Sequence, residues 1–316
     1  MGTPEFAVGT LSRLVEGGYN VVAVVTQPDK PVGRHQDKLQ ASAVKQYALA
    51  HSRPVLQPVK MKDPDFVERL ADLKADLQVV VAFRMLPEIV WAMPRFGTFN
   101  VHAALLPQYR GAAPINWAVI NGETQTGVTT FFIDKDIDTG RIIMKRTFDI
   151  PDDADVEYVY DGLMKLGADI AVETVDMVLD NDGNVPAQEQ EALIPTSEPL
   201  HPAPKIFKET CQICWDKPAK TVYDFIRGLS PYPGAWTTLH KDQKATELKI
   251  YKAAKTGKPV GDAKPGSIET TKKALYMACA DEWLEILSLQ LAGKKRMEAS
   301  AFINGNKGLA DCTVGA

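Results

Sequence analysis

Residues 76–83, Asp-Leu-Gln-Val-Val-Val-Ala-Phe, are apolar almost without interruption, and so short a run reads as a strand covered on both faces. A strand buried on both sides needs helices above and below it, which makes the chain an α/β protein. Residues 99–103 read as a second, shorter strand, residues 20–26 as a third, and 127–132 and 141–148 as two more. Helical spacing appears at Glu5–Glu16, where Phe6, Val8, Leu11, Leu14 and Val15 share a face. It returns at 42–50, 64–73, 88–93, 113–120 and 155–179, the last with Val156, Val159, Leu163, Leu166, Ile170 and Val178 inward. A Rossmann-like half opens with a strand before its first glycine turn. Here the turn at residues 2–6 comes first, so the expectation is that the true start lies upstream or that the sheet lacks an inner strand. Residues 28–41 are polar without apolar pattern and read as a long loop, either functional or disordered.

Residues 181–207 are rich in Asp, Asn, Gly, Pro, Gln and Glu and read as a linker between a domain at 1–180 and another at 208–316. Beyond it, a helix at 219–229 and several short strand-like segments separated by glycine and lysine turns suggest a small β-barrel. The polar end, residues 304–316, is expected to fray.

No apolar run in the 316 residues approaches the length of a bilayer span, and the N-terminus lacks the layout of a signal peptide, so a cytoplasmic protein with no membrane partner is expected. The net charge of −4 is unevenly spread, with +6 over residues 201–316 and −10 over residues 1–200. Lysines that solubilise a surface explain this, and so does a polyanionic partner at the basic end. Cys211 and Cys214 have C-x-x-C spacing, but Cys279 and Cys312 are isolated, so a four-thiolate zinc site lacks ligands and the cysteines read as structural. No phosphate-binding glycine loop, zinc-protease helix or serine elbow is present, and no metal is expected.

Chemistry concentrates at residues 99–107. Asn100 and His102, two apart on a strand, point to the same side near its carboxyl end, where open α/β sheets place ligand-handling groups. A hydrogen-bonded core histidine gives the same pattern. Downstream, three aspartates alternate in residues 133–140 and end in Thr139-Gly140, which is also the pattern of a solvated turn. Asn100, His102 and Asp138 together make a set able to handle protons and stabilise an oxyanion, as acyl transfer to an amine requires.

The strings Asn100-Val101-His102, Leu105-Leu106-Pro107, Arg110-Gly111-Ala112-Ala113-Pro114-Ile115 and Ile137-Asp138-Thr139-Gly140 resemble the folate-dependent formyltransferases. So do Gly2-Thr3-Pro4-Glu5-Phe6-Ala7, Gln27-Pro28-Asp29-Lys30-Pro31 with Gly33-Arg34, and Ser230-Pro231-Tyr232-Pro233-Gly234-Ala235-Trp236. The resemblance implies a Rossmann-like formyltransferase core followed by a small C-terminal OB-like β-barrel domain that binds tRNA. It also implies that the formyl group of 10-formyltetrahydrofolate passes to the α-amine of methionyl-initiator tRNA, for translation initiation, in a protein expected to act as a monomer. Carried over residue by residue, it makes Asn100, His102 and Asp138 catalytic. Phe83, Arg84, Met85, Leu86, Leu105, Pro107, Thr139 and Gly140 then border the folate, and Phe6, Arg34, Lys205 and Lys208 meet the tRNA. Ala104, Asp136 and Arg141 depart from the family pattern. Two alternatives stay open: a sugar-nucleotide or other small amine as acceptor, and an RNA-binding module whose α/β domain is inactive.

Overall fold

A computed structural model describes residues 1–32, 38–194, 199–241, 244–306 and 308–315. The chain divides into two compact units. The first comprises residues 1–111, 125–149 and 160–203, and the second residues 112–124, 150–159 and 204–316.

In chain order the first unit runs α1 (Glu5–Glu16), β1 (Val24–Val25), β2 (Lys30–Val32), β3 (Lys38–Gln40), α2 (Ala43–Ala50), β4 (Val55–Leu56), α3 (Pro64–Asp72), β5 (Gln78–Val81), α4 (Glu88–Trp91) and β6 (Thr98–His102). After α5 (Pro114–Ile120), which belongs to the second unit, come β7 (Gln125–Phe132), β8 (Ile142–Asp149) and α6 (Val156–Asp180), the last contributing its residues from Tyr160 onward. Local chemistry sets several helix starts. The Ser42 hydroxyl accepts from the Lys45 amide at α2, and the Asp63 carboxylate accepts from the Asp65 amide ahead of Pro64 at α3. Leu163, Ile170 and Val178 of α6 are fully buried, while Leu166 is only half-buried.

β5 and β6 pair in parallel, and β6, β7 and β8 follow antiparallel, giving a four-stranded sheet. β1 pairs with β4 alone. The strand expected over 20–26 is therefore cut to two residues, because its upstream part borders a cavity of about 360 Å3, lined by Val21, Ala23, Leu77 and Val79 among others, instead of a neighbouring strand. Met1 and Gly2 link the two sheets: the Gly2 amide donates to Val25 O (3.0 Å), the Met1 amine to Val79 O (2.6 Å), and the Val81 amide to Met1 O (2.9 Å). Burial pushes the Met1 amine down to about 5. The break lies where an inner strand was expected.

Within the span read as a loop, β2 and β3 form an antiparallel ribbon; Arg34 lies outside the described residues. Among the described residues of 181–203, Gln188 bridges Ile142 of β8, Gln190–Leu193 form a 3-10 turn and Ala203 bridges Gly111.

In the second unit α5 lies on α7 (Ala219–Gly228), where the Asn116 amide donates to Gly228 O at 2.8 Å. β9 (Ala235–Lys241), β10 (Lys244–Pro259), β11 (Ile268–Thr270), β12 (Leu275–Ala278), β13 (Glu282–Leu291), β14 (Met297–Glu298) and β15 (Thr313–Gly315) form one sheet, with α8 (Ala299–Gly305) after β14. Its strand order is β11-β12-β13-β10-β9-β15, with β14 beside β13. A Ser267–Thr313 bridge joins the first and last strands at one point, so the sheet curls upon itself. Leu248, Ile250, Leu275, Met277 and Phe302 fill the interior. The fraying expected for the polar end is not seen at residues 308–315. Leu309, Cys312 and Val314 are buried in this core and β15 pairs with β9, because three apolar side chains punctuate an otherwise polar tail. Cys211 and Cys279 are buried too, and Cys214 is exposed. Among the described residues no helix is long and apolar enough to cross a membrane.

Candidate active site

β6 and β5 end side by side, Val80 opposite Asn100 and Val81 opposite Val101. Across the sheet Asn100 pairs with Phe131 and His102 with Thr129 of β7, and Thr129 pairs with Lys145 of β8. Lateral partners in a sheet present their side chains on one face. His102, Thr129 and Lys145 therefore form a single row, with Asn100 and Phe131 one row behind on the same face.

His102 is buried, and its Nε2 lies 2.9 Å from the carbonyl oxygen of Tyr109. A carbonyl only accepts, so Nε2 carries the hydrogen and Nδ1 is left with the lone pair that can accept a proton. Nδ1 faces the Asp138 carboxylate, with Oδ2 at 3.8 Å. That same oxygen accepts from the Gly111 amide at 3.0 Å. Asp138 thus does not cap its own turn. Asp134 does so, accepting from the Asp136 amide (3.1 Å) and the Thr139 hydroxyl (2.8 Å) and leaving Asp138 aimed inward at a backbone φ of +56°. Gly140 closes the turn against the Phe132 carbonyl, where an added Cβ would lie 1.7 Å from the oxygen, so only glycine fits. The side-chain amide of Asn100, half-buried beside this pair, has no protein partner among the described residues.

The loop is tied down by Gln190, which is wholly buried. Its Nε2 donates to Asp138 O (2.9 Å) and Gly140 O (2.8 Å), and its Oε1 accepts from Arg110 Nε (3.0 Å) and Nη2 (2.7 Å). Tyr109 is held in turn by His201 O, 2.7 Å from its amide. Neither Gln190 nor His201 stands out in the sequence, since each is a lone polar residue in a polar stretch.

The residues read as bordering a folate lie in the same unit. Leu86, Pro107 and Gly140 are buried, Phe83, Leu105 and Thr139 half-buried, and Met85 exposed. Arg84 donates to the carbonyls of Pro58 and Val59, while its buried Nε has no partner among the described residues. Phe6 is not gathered with the others at a surface. It is 5% exposed and edge-on to Tyr160 in the interior, because it lies on the inward face of α1. In the second unit, Lys205 is exposed over the Phe207 ring, and Lys208 is exposed but paired with Glu247 at 2.7 Å.

Comparison with known proteins gives the same assignment for both parts of the chain. Residues 1–175 match the family model described as Formyl transferase, and residues 205–307 that of Formyl transferase, C-terminal domain. The chain is 59% identical over 318 aligned residues to a methionyl-tRNA formyltransferase of Parabacteroides distasonis, covering 100% of this chain and 97% of the relative. It is 57% identical to one of Bacteroides fragilis, covering 96% and 93%. Among solved structures, the sugar 3N-formyl transferase WlaRD, determined in the presence of dTDP and 5-N-formyl-THF, matches with a TM-score of 0.63 at 19% identity over 93% of this chain and 97% of that one. HypX from Aquifex aeolicus in complex with tetrahydrofolic acid matches with a TM-score of 0.56 at 20% identity, over 82% and 44%. With both family models matched and curated relatives sharing more than half of its residues over nearly its whole length, the chain belongs to the formyl transferase family, among the methionyl-tRNA formyltransferases.

Proposed function

We infer that the chain moves the formyl group of 10-formyltetrahydrofolate to the α-amine of methionyl-initiator tRNA. The observation that carries this reading is the His102–Asp138 pair beside the unpartnered Asn100 amide, in a chain 59% identical end to end to a methionyl-tRNA formyltransferase. A folate fits the residues present. Two donors, the Asn100 amide and Arg84 Nε, lack protein acceptors near the carboxyl ends of β5 and β6, beside the apolar surfaces of Phe83 and Leu105. Thr139 and Gly140 complete the proposed border.

The folate supplies an activated formyl carbon. Asn100 donates its amide N–H to the oxygen that gains charge as the amine attacks. His102 takes the amine's proton at Nδ1, the Asp138 carboxylate stabilises the resulting imidazolium while Tyr109 O holds the ring, and the imidazolium then gives that proton to the folate nitrogen as its bond to the formyl carbon breaks, releasing tetrahydrofolate. No covalent bond to the protein is needed. In the second unit the curled sheet is OB-like and faces the nucleic acid, with Lys205 and Lys208 on phosphates, and Arg34 meets the acceptor arm. The surplus of six positive charges over residues 201–316 supports that assignment.

The test is formyl transfer measured with methionyl-tRNA and with an amino-sugar nucleotide side by side, in wild type and Asn100→Ala. Transfer to methionyl-tRNA that weakens steeply with salt, and a kcat lower by about 10²–10³ in the variant with an unchanged melting temperature, are expected. Transfer to the sugar alone would overturn the acceptor. A fully active Asn100→Ala would overturn the role of the amide.

A further inference from the structure

Lys145 stands at the end of the row that begins with His102, and the acyl-transfer chemistry above does not use it. Its Nζ donates to the carbonyl of Leu106. The side chain is half-buried, no carboxylate pairs with it among the described residues, and burial holds its ammonium below the ordinary lysine range. A partly desolvated cation with no counter-charge is unfavourable, and an apolar side chain would fill the same space at lower cost. A lysine here therefore acts through what its ammonium holds.

It holds a turn that has no strand partner of its own. The Thr129 hydroxyl donates to Ala104 O (2.7 Å) and accepts from the Leu106 amide (3.1 Å), and Lys145 takes the Leu106 carbonyl. Two side chains from the His102 row thus pin three backbone polar groups of residues 104–106. The turn carries Leu105, seated over Gly127, where an added Cβ would come within 2.6 Å of its Cδ2. It continues through Pro107 to Tyr109, whose carbonyl fixes the His102 ring. We propose that Lys145 is a positioning residue for formyl transfer, its ammonium clamping the Leu106 carbonyl so that the 104–109 turn presents Leu105 and Pro107 to the folate and holds Tyr109 O against His102.

This rests on the formyl-transfer reading, so the experiment carries one readout that is independent of activity. Lys145→Met and Lys145→Arg are compared with wild type by steady-state kinetics across pH, by melting temperature, and by backbone amide exchange in peptides spanning residues 103–109. Lys145→Met is expected to lower kcat by about 10–100-fold, since small misplacements of a catalytic group cost that much, to raise KM for the formyl donor, and to speed exchange at 103–109, with little change in melting temperature. Lys145→Arg, which keeps a cation that does not titrate, should restore most of the rate and the protection. The ratio of wild-type to Lys145→Arg rate should fall as pH rises through a lysine pKa below the ordinary range, because a neutral amine makes the weaker hydrogen bond. Wild-type kcat, KM and exchange in Lys145→Met would overturn the proposal, as would a lowered melting temperature with unchanged turnover per folded molecule. An inactive wild type would instead overturn the reading of function, and the exchange data would still judge the clamp.

Discussion

Gln190 shows how much of the site depends on a side chain wholly enclosed by protein. Its amide serves two carbonyls of the Asp138 loop and the guanidinium of Arg110 in a space closed to water, so no solvent can replace it. Gln190→Ala leaves these groups unpaired, and each buried unsatisfied group costs about 1–3 kcal/mol. A loss of about 3 kcal/mol in urea unfolding is expected, together with a lower kcat, because the carboxylate facing His102 Nδ1 is no longer anchored. Gln190→Glu keeps the acceptor for Arg110 but turns a carboxylate toward two carbonyls, so it should fare no better. Near wild-type stability in both variants would mean that the loop stands without its tether. Asn100 and His102 were legible as a pair because two residues on a strand share a face whatever else the chain does. Gln190 was not, since nothing local distinguishes a buried glutamine from an exposed one.

Elements followed the same division. α1 spans Glu5–Glu16 as the apolar spacing predicts, and β5, β6, β7 and β8 each lie within two or three residues of the expected runs. The exceptions are segments whose order comes from distant partners. β15 exists because Leu309, Cys312 and Val314 sink into a core built by β9 to β13, and a tail judged on its polarity alone conceals this. Leu309→Ala should therefore destabilise the protein by about 2–5 kcal/mol, the usual cost of truncating a buried leucine. Thermal and urea unfolding would measure it, and an unchanged midpoint would restore the frayed tail. The long polar span before α2 likewise contains a β-ribbon, formed by cross-strand bonds that no periodicity announces.

In the chain beginning at Met1, Met1 and Gly2 are the only strand-like link among the described residues between the β1–β4 pair and the β5–β8 sheet, and the α-amine of that chain is buried. Its pKa drops from 8.0 to about 5 in the folded state, while the unfolded amine keeps its ordinary value. Between these values the unfolded chain binds the extra proton, so stability rises with pH from about 5 to 8 and levels off above, a span worth up to about 4 kcal/mol. The melting temperature of the chain beginning at Met1 should rise over that window. Acetylation of the α-amine turns it into an amide that still donates to Val79 O, and should raise the melting temperature at pH 6 and flatten the dependence. Parallel pH profiles for the free and acetylated forms would rule the buried amine out as the cause.

By itself the sequence determined the α/β class and the principal helices and strands, and it singled out Asn100, His102 and Asp138 as a candidate set, since helix and strand periods are local properties and the motif strings lie intact along the chain. The tertiary structure alone decided which nitrogen of His102 is left with a lone pair, because that depends on Tyr109 O occupying the other. It also decided that Asp138 faces His102 rather than capping its own turn, that Phe6 is interior, and that Lys145 and Gln190 hold the turns beside His102 and Asp138. Each of these depends on strand register and on the closing of polar groups away from water, and both join residues that are remote in the chain.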